Sequence, residues 1–221
     1  TKHLISNTYL PQTVDSIKQK YNNEITFFID EKGVSTTWGY QGIGDLPIIA
    51  SSISSSLKNW IEDQIWKLDR LLNVKFKKVD NRNDAVLKVV HTNTLPNPVP
   101  SGVYGASSSI YSEYSWDASS KKFIANKVTL ETAVETEKIN RSNNFHKKVL
   151  LHEIAHLLTL EHPFYGGDGD VYGTKNSTDA EDTVMAYGTR TGTYPTWYQD
   201  IDIEALQEVW GVEQPRIFES N

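Results

Sequence analysis

Apolar and polar residues alternate over several short stretches in the first two-thirds of this chain. A period of two is the pattern of a half-buried strand. It predicts strands over residues 24–30, 74–79, 85–90, 102–111 and 123–132. Residues 93–102 contain three prolines and are predicted as a loop. The polar residues 112–122 are predicted as an insert between the last two strands.

Three other stretches carry apolar residues every three to four positions, which is the period of an amphipathic helix. The first follows residues 51–56, where several serines can cap a helix, and its apolar positions are Leu57, Trp60, Ile61, Ile65, Leu68 and Leu72. The second is predicted from residue 142 or 143 to residue 158. The third is predicted over residues 198–210 and ends at Gly211.

Composition and charge narrow the class of protein. The 221 residues are enough for a sizeable hydrophobic core, and we predict one domain over residues 1–221. A net charge of -6 without a basic stripe argues against nucleic acid as a partner. No apolar run reaches the length of a membrane span. The sequence has no cysteine, which excludes disulfide bonds within it.

The second predicted helix carries His152, Glu153 and His156 in a His-Glu-x-x-His motif. Four-residue spacing puts both imidazoles on one helix face, about 6 Å apart along the axis. Ring nitrogens from that face can bind one Zn²⁺ at about 2.0–2.1 Å. Glu153 then lies beside the metal, where it can take a proton from water that the metal activates. The motif predicts a hydrolytic zinc site.

A third histidine, His162, follows six residues after His156. On a straight helix it would lie about 15 Å beyond His152 and point off the shared face. The helix must therefore end near residue 158 and the chain must turn back over residues 159–161. Pro163 prevents the helix from restarting through His162. The spacing predicts both a third ligand and a sharp turn.

The alternative interpretation is an ordinary amphipathic helix with histidines on its solvated face. Two histidines at four-residue spacing also occur by chance, and the third histidine at the required offset favours the zinc site. His3, His91 and His146 show no ligand spacing, and we expect them at the surface.

The motif, the extra histidine and a later methionine resemble the metzincin metallopeptidases, whose pattern adds a methionine turn to the three histidines. The chain's single methionine, Met185, lies downstream of His162 as that turn requires. Within the metzincins the chain is most similar to the serralysin-like branch. This similarity lies in His162-Pro163, residues 180–183, Met185-x-Tyr187 and residues 200–211.

The resemblance implies an α+β fold: a twisted mixed sheet of about five strands, an active-site helix and a smaller, mostly irregular C-terminal lobe ending in a helix. The upper lobe would cover residues 1–162 and the lower lobe residues 163–221. It implies a secreted, monomeric zinc endopeptidase that binds its peptide substrate as an added strand at the sheet edge. Met185 would lie beneath the histidines, and Tyr187 would offer its phenol to the zinc or to the developing oxyanion.

Two features depart from the family pattern or extend it. The family's glycine between the second and third histidines is Thr159, so the turn is either strained or differently shaped. Asp168-Gly169-Asp170 leaves calcium open as a further ion, although no glycine-rich calcium repeat occurs. Arg190 is a candidate for side-chain selection.

Two other functions stay open from the sequence. One is a zinc-bearing binding or adhesion module without turnover. The other is a protease toxin or effector that acts on a single host protein, with the same chemistry on a narrower substrate.

Overall fold

A computed structural model describes residues 4–6, 10–30, 35–40, 44–136, 143–165 and 178–214. Its helices are α1 (Leu10–Lys20), α2 (Ser55–Leu71), α3 (Asn143–Leu157) and α4 (Asp200–Trp210). Its strands are β1 (Glu24–Ile29), β2 (Ser35–Tyr40), β3 (Gly44–Ile49), β4 (Lys75–Lys78), β5 (Leu87–Thr92), β6 (Gly105–Asp117) and β7 (Lys122–Glu135). None of the helices within these ranges combines the length and the apolar character that crossing a membrane requires.

Five strands form one mixed sheet in the order β4-β1-β5-β7-β6. The first four run parallel, and β6 is antiparallel to β7 at the edge. The prediction of an α+β protein with a mixed sheet of about five strands is therefore confirmed. Parallel strands need crossover connections that cover the sheet, and α2 is the helix in the connection from β1 to β4.

The main core lies between the sheet and the helices. Helix α2 buries Ile61, Ile65 and Leu68, and the side chain of Ser54 caps its first turn by accepting a hydrogen bond from the backbone N–H of Leu57. Helix α4 is bonded to the end of α3, where the indole N–H of Trp210 donates to the carbonyl of Leu158 at 3.1 Å. These contacts fix α3 in the middle of the molecule.

The segment after His162 contains little regular structure, as predicted. Among the described residues 163–165 and 178–214, only Asp200–Trp210 is helical, and no residue belongs to a named strand. Helix α4 begins at Asp200, two residues later than predicted, because the Gln199 side chain and the Asp202 carboxylate form a capping box there.

The sequence patterns missed three features of the fold. Helix α1 and the hairpin of β2 and β3 were not predicted. The prediction of a polar insert at 112–122 is wrong, since β6 continues to Asp117 and β7 begins at Lys122. Both faces of this part of the hairpin are largely solvated, so its strands lack the apolar alternation, although Trp116 and Phe123 pack edge to face with ring centres 5.1 Å apart.

The expected surface position of His91 is also wrong. Its side chain is fully buried on β5, with its ring centre 5.3 Å from that of His146 on α3. Neither ring nitrogen of His91 has a hydrogen-bond partner. Burial, together with the neighbouring His146 ring, lowers the pKa of His91 to about 3. His3 lies outside the described residues.

His91 is therefore expected to make the fold sensitive to acid. The unfolded chain binds a proton at this residue below about pH 6.5, whereas the folded chain stays neutral to about pH 3. As the pH falls from about 6.5 to about 3, His91 should therefore lower the free energy of unfolding by about 1.4 kcal/mol for each pH unit.

We expect His91→Leu to reduce the pH slope of the unfolding free energy by one proton between pH 6 and pH 4. Urea unfolding of the metal-free protein across that range measures the slope. His146→Leu is the matched control, with a smaller effect because that ring is only partly buried. An unchanged slope in His91→Leu would show that the buried ring does not govern acid sensitivity.

Candidate metal centre

The end of helix α3 creates the reversal that the histidine spacing requires. The helix ends at Leu157, within one residue of the predicted position. The backbone N–H of Thr159 then donates to the carbonyl of His156, and that of Leu160 donates to the carbonyl of Ala155. These two bonds form a Schellman motif, which needs a left-handed residue at its centre.

Thr159 is that residue, with φ at 78°. Of the two outcomes left open by the sequence, the turn keeps the conformation that glycine would take. A β-branched residue there costs roughly 1–2 kcal/mol relative to glycine. Surrounding contacts must therefore hold the turn in place.

The turn brings three histidine rings together. The Nε2 atom of His152 lies 3.1 Å from Nε2 of His162 and 3.1 Å from Nε2 of His156. The third distance, from His156 to His162, is 3.3 Å. Ligand nitrogens at about 2.05 Å from a tetrahedral zinc ion lie about 3.3 Å from one another. The three residues therefore lie close enough to hold one metal ion.

Backbone carbonyls fix the protonation of two of these rings. Nδ1 of His152 donates to the carbonyl of Val184 at 2.9 Å, and Nδ1 of His156 donates to the carbonyl of Leu160 at 2.8 Å. A carbonyl can only accept, so the proton of each neutral ring is on Nδ1 and the lone pair is on Nε2. Burial lowers the pKa of His156 to about 4 and holds that of His152 well below its ordinary value, so both rings are neutral near pH 7.

This tautomer makes a cation the natural occupant of the space between the rings. Two Nε2 atoms without protons are held 3.1 Å apart, where each can only accept a hydrogen bond. Their facing lone pairs repel each other unless a positive centre lies between them. The donor set of three imidazoles fits zinc.

Glu153 is a buried carboxylate beside the histidines, and its surroundings shift its pKa in opposite directions. Burial raises its pKa, a hydrogen bond from the Ser107 side chain and the charge of Lys148 lower it, and the net result is a pKa of about 7. Gly105 leaves room for it, since a Cβ there would lie 2.8 Å from Cγ and 2.9 Å from Oε1 of Glu153. Edge strand β6 thus determines where this carboxylate can lie.

Sequence reasoning missed Lys148 and Asp202. The ammonium group of Lys148, buried one turn before His152, donates to the carbonyl of Ala186. The carboxylate of Asp202 is fully buried and accepts from the Thr183 hydroxyl and, at 3.0 Å, from the Val184 N–H. Both charged side chains thus hold residues 183–186, the segment that contains Met185, by hydrogen bonds. The signal for Lys148 was a charge four residues before His152, on the same helix face.

Tyr187 lies next to the third histidine, and Met185 belongs to the core. The hydroxyl of Tyr187 lies 3.0 Å from Nε2 of His162. Burial raises the pKa of Tyr187, so its phenol is protonated near pH 7. Met185 is fully buried in the main core, next to Val184. Phe164 stacks on His162, with ring centres 5.2 Å apart.

An open cleft of about 840 Å³ runs past these groups. One wall is the edge of the sheet, and the other is formed by α3, with Tyr187 and Tyr194 at its border. The strand after the proline-rich loop does lie at the sheet edge beside the site, because residues 105–107 and 109 of β6 line the cleft.

The sequence also singled out Arg190 and the segment Asp168-Gly169-Asp170. Arg190 is exposed and bonded to the carboxylate of Asp182, at 2.6 Å, and it does not line the cleft. The candidate calcium segment, Asp168-Gly169-Asp170, lies outside the described residues.

Comparison with models of known protein families gives no match for this chain, and comparison with curated protein sequences gives no significant match.

We expect the protein to bind one equivalent of Zn²⁺ and His162→Ala to weaken that binding by more than the roughly 10–100-fold that an outer hydrogen-bond partner contributes. Competition with a chromophoric chelator measures the affinity. His146→Ala, on the same helix but outside the triad, should bind zinc like the parent. Parental affinity in His162→Ala would exclude this residue as a ligand.

Proposed function

We propose that this protein is a secreted zinc endopeptidase of the metzincin type. The observation that carries the proposal is the convergence of three Nε2 atoms within 3.1–3.3 Å beside a buried carboxylate. The resemblance of the histidine and methionine motifs to the serralysin-like branch supports the family. The mixed sheet with an antiparallel edge strand is compatible with it.

His152, His156 and His162 would hold the zinc ion. When bound, zinc supplies a Lewis acid that activates water and polarises the scissile carbonyl. Glu153 takes the proton from the attacking water and then delivers it to the leaving amide nitrogen. Burial raises the pKa of this carboxyl group above its ordinary value, which brings it closer to the range in which a group can both accept and release a proton near neutral pH.

Tyr187 stabilises charge on the substrate. Its hydroxyl lies 3.0 Å from Nε2 of His162, close enough to the metal site to reach a carbonyl oxygen that gains negative charge there. The raised pKa of the phenol keeps it protonated, so it donates a hydrogen bond to that oxygen.

The edge strand β6 supports an extended peptide as the substrate. An edge strand offers unpaired backbone groups to which a polypeptide can add as a further strand. Main-chain bonds of this kind depend little on side-chain identity. They would hold the peptide in the cleft next to Glu153, and a monomer is sufficient for this arrangement.

Glu153 favours turnover over a binding module. A structural metal site has no use for a buried carboxylate with a pKa of about 7 beside its ligands. Digestion of casein and of a mixed peptide library, with and without a chelator, tests the proposal. Chelator-sensitive cleavage of many peptides would support it, and intact peptides in zinc-loaded samples would contradict it.

We expect Glu153→Gln to keep zinc affinity within about twofold and to lower kcat by roughly 100- to 10,000-fold, the usual contribution of a general base. The amide has the shape of the carboxylate but cannot accept the proton. Peptide cleavage and zinc titration on the same preparation separate the two effects. Parental turnover would exclude Glu153 as the base.

Gly105→Ala should lower kcat by roughly 100-fold, since a displacement of about 1 Å at a catalytic group can cost this much. The new methyl group would collide with Glu153 and with the Val149 side chain, and none of its three nearest atoms belongs to a histidine. Zinc affinity should therefore stay at the parental value. Ser101→Ala, at an exposed position bordering the same cleft, is the control and should be fully active.

A further inference from the structure

A segment from the start of the chain pairs with the turn that carries the third histidine. Ile5 and Leu160 form an antiparallel bridge. The backbone N–H of Ser6 donates to the carbonyl of Thr159 at 2.9 Å, and the N–H of Glu161 donates to the carbonyl of Leu4 at 2.8 Å. Leu4, Ile5 and Ser6 are all buried.

These two bonds hold both sides of Leu160, which itself orients a metal ligand. The N–H of Leu160 donates to the helix carbonyl of Ala155, and its carbonyl accepts the Nδ1 proton of His156 at 2.8 Å. His162 follows two residues later. Any tilt of the Leu160 peptide would therefore rotate one histidine and displace the other.

The turn needs external support because of the residue at its centre. Thr159 has φ at 78°, a region that disfavours residues with a Cβ. Such conformations persist when surrounding contacts over-determine them. The bond from Ser6 to the Thr159 carbonyl is a contact of this kind, and it comes from a part of the sequence far from the motif.

We propose that Leu4–Ser6 is a positioning element for the metal centre, which keeps the Thr159 turn closed and so aligns His156 and His162. This inference rests on the proposed metal site. Affinity coupling is reciprocal, so zinc binding should also hold Leu4–Ser6 more firmly against the turn.

Ser6→Pro removes the N–H that donates to Thr159, whereas Ser6→Ala keeps it. We expect Ser6→Pro to weaken zinc binding roughly 10-fold, in the range typical of outer partners of metal ligands. Ser6→Ala should stay within about twofold of the parent, because it lacks only the hydroxyl. Competition with a chromophoric chelator gives the affinities, and circular dichroism verifies the fold of each variant.

Repeating Ser6→Pro in a Thr159→Gly protein tests whether the left-handed Thr159 is the reason that the turn needs this support. Glycine adopts the left-handed conformation without the Cβ cost, so Ser6→Pro should weaken zinc binding by less than about threefold there. An equal loss in both backgrounds would overturn the role assigned to Thr159. Parental affinity in Ser6→Pro, or equal losses in Ser6→Pro and Ser6→Ala, would overturn the positioning role.

Hydrogen exchange of the unsubstituted protein tests the same coupling without any variant. The amides of Ser6 and Glu161 should both exchange more slowly after zinc is added. Unchanged protection at both amides in a sample that binds zinc would overturn the proposal. A parent that binds no zinc would instead overturn the proposed function, so the two failures can be told apart.

Discussion

Three imidazole nitrogens that converge to within 3.1–3.3 Å of one another are the constraint around which the site is organised. Bare Nε2 atoms at 3.1 Å repel one another, and the rings stay together only because other contacts hold them. The Val184 and Leu160 carbonyls hold the Nδ1 side of two rings, and Phe164 packs flat against the third. A site built this way is arranged in advance for a cation, so little ordering is left to the binding step.

The contact that orients His152 comes from a part of the chain that is distant in sequence and is itself held by other elements. Asp202 on α4 bonds to the Thr183 hydroxyl and the Val184 N–H, and so aligns the carbonyl that orients His152. The ammonium group of Lys148 on α3 donates a hydrogen bond to the carbonyl of Ala186. Residues 183–186 are thereby bonded to both α3 and α4, which explains why two charged residues lie fully or almost fully buried here.

The sequence allowed those parts of the site that depend on local geometry to be predicted. Spacing along a helix dictates that His152 and His156 share a face, and His162 cannot join them unless the helix ends, so the turn followed from the same argument. The Thr159 conformation could only be narrowed to two choices. Its outcome depends on Ser6, about 150 positions away in the sequence, whose bond has no signature in the motif.

The missed parts of the fold have a similar explanation. The β2–β3 hairpin has Gly39 and Pro47 inside its strands, which weakens the pattern. It is held by buried polar contacts, in which the Gly39 N–H donates to the Glu131 carboxylate at 2.7 Å. Helix α1 buries Val14 and Ile17 at helical spacing, but the short apolar stripe is interrupted by polar residues. His91 was predicted at the surface because histidine is a polar residue type. Its burial depends on which elements pack against β5, and the sequence does not show this.

The balance at Glu153 shows why the surroundings of the site matter as much as the motif. Burial alone would raise the pKa of this carboxyl group and leave it protonated, a poor base at neutral pH. Ser107 from the edge strand and Lys148 from the helix draw the pKa back to about 7, and a divalent cation among the imidazoles would draw it lower. The strand that would pair with a peptide in the proposed enzyme thus also adjusts the carboxylate that would take a proton from the attacking water. Substrate binding and proton transfer would then both depend on β6, so a change in its position would alter both together.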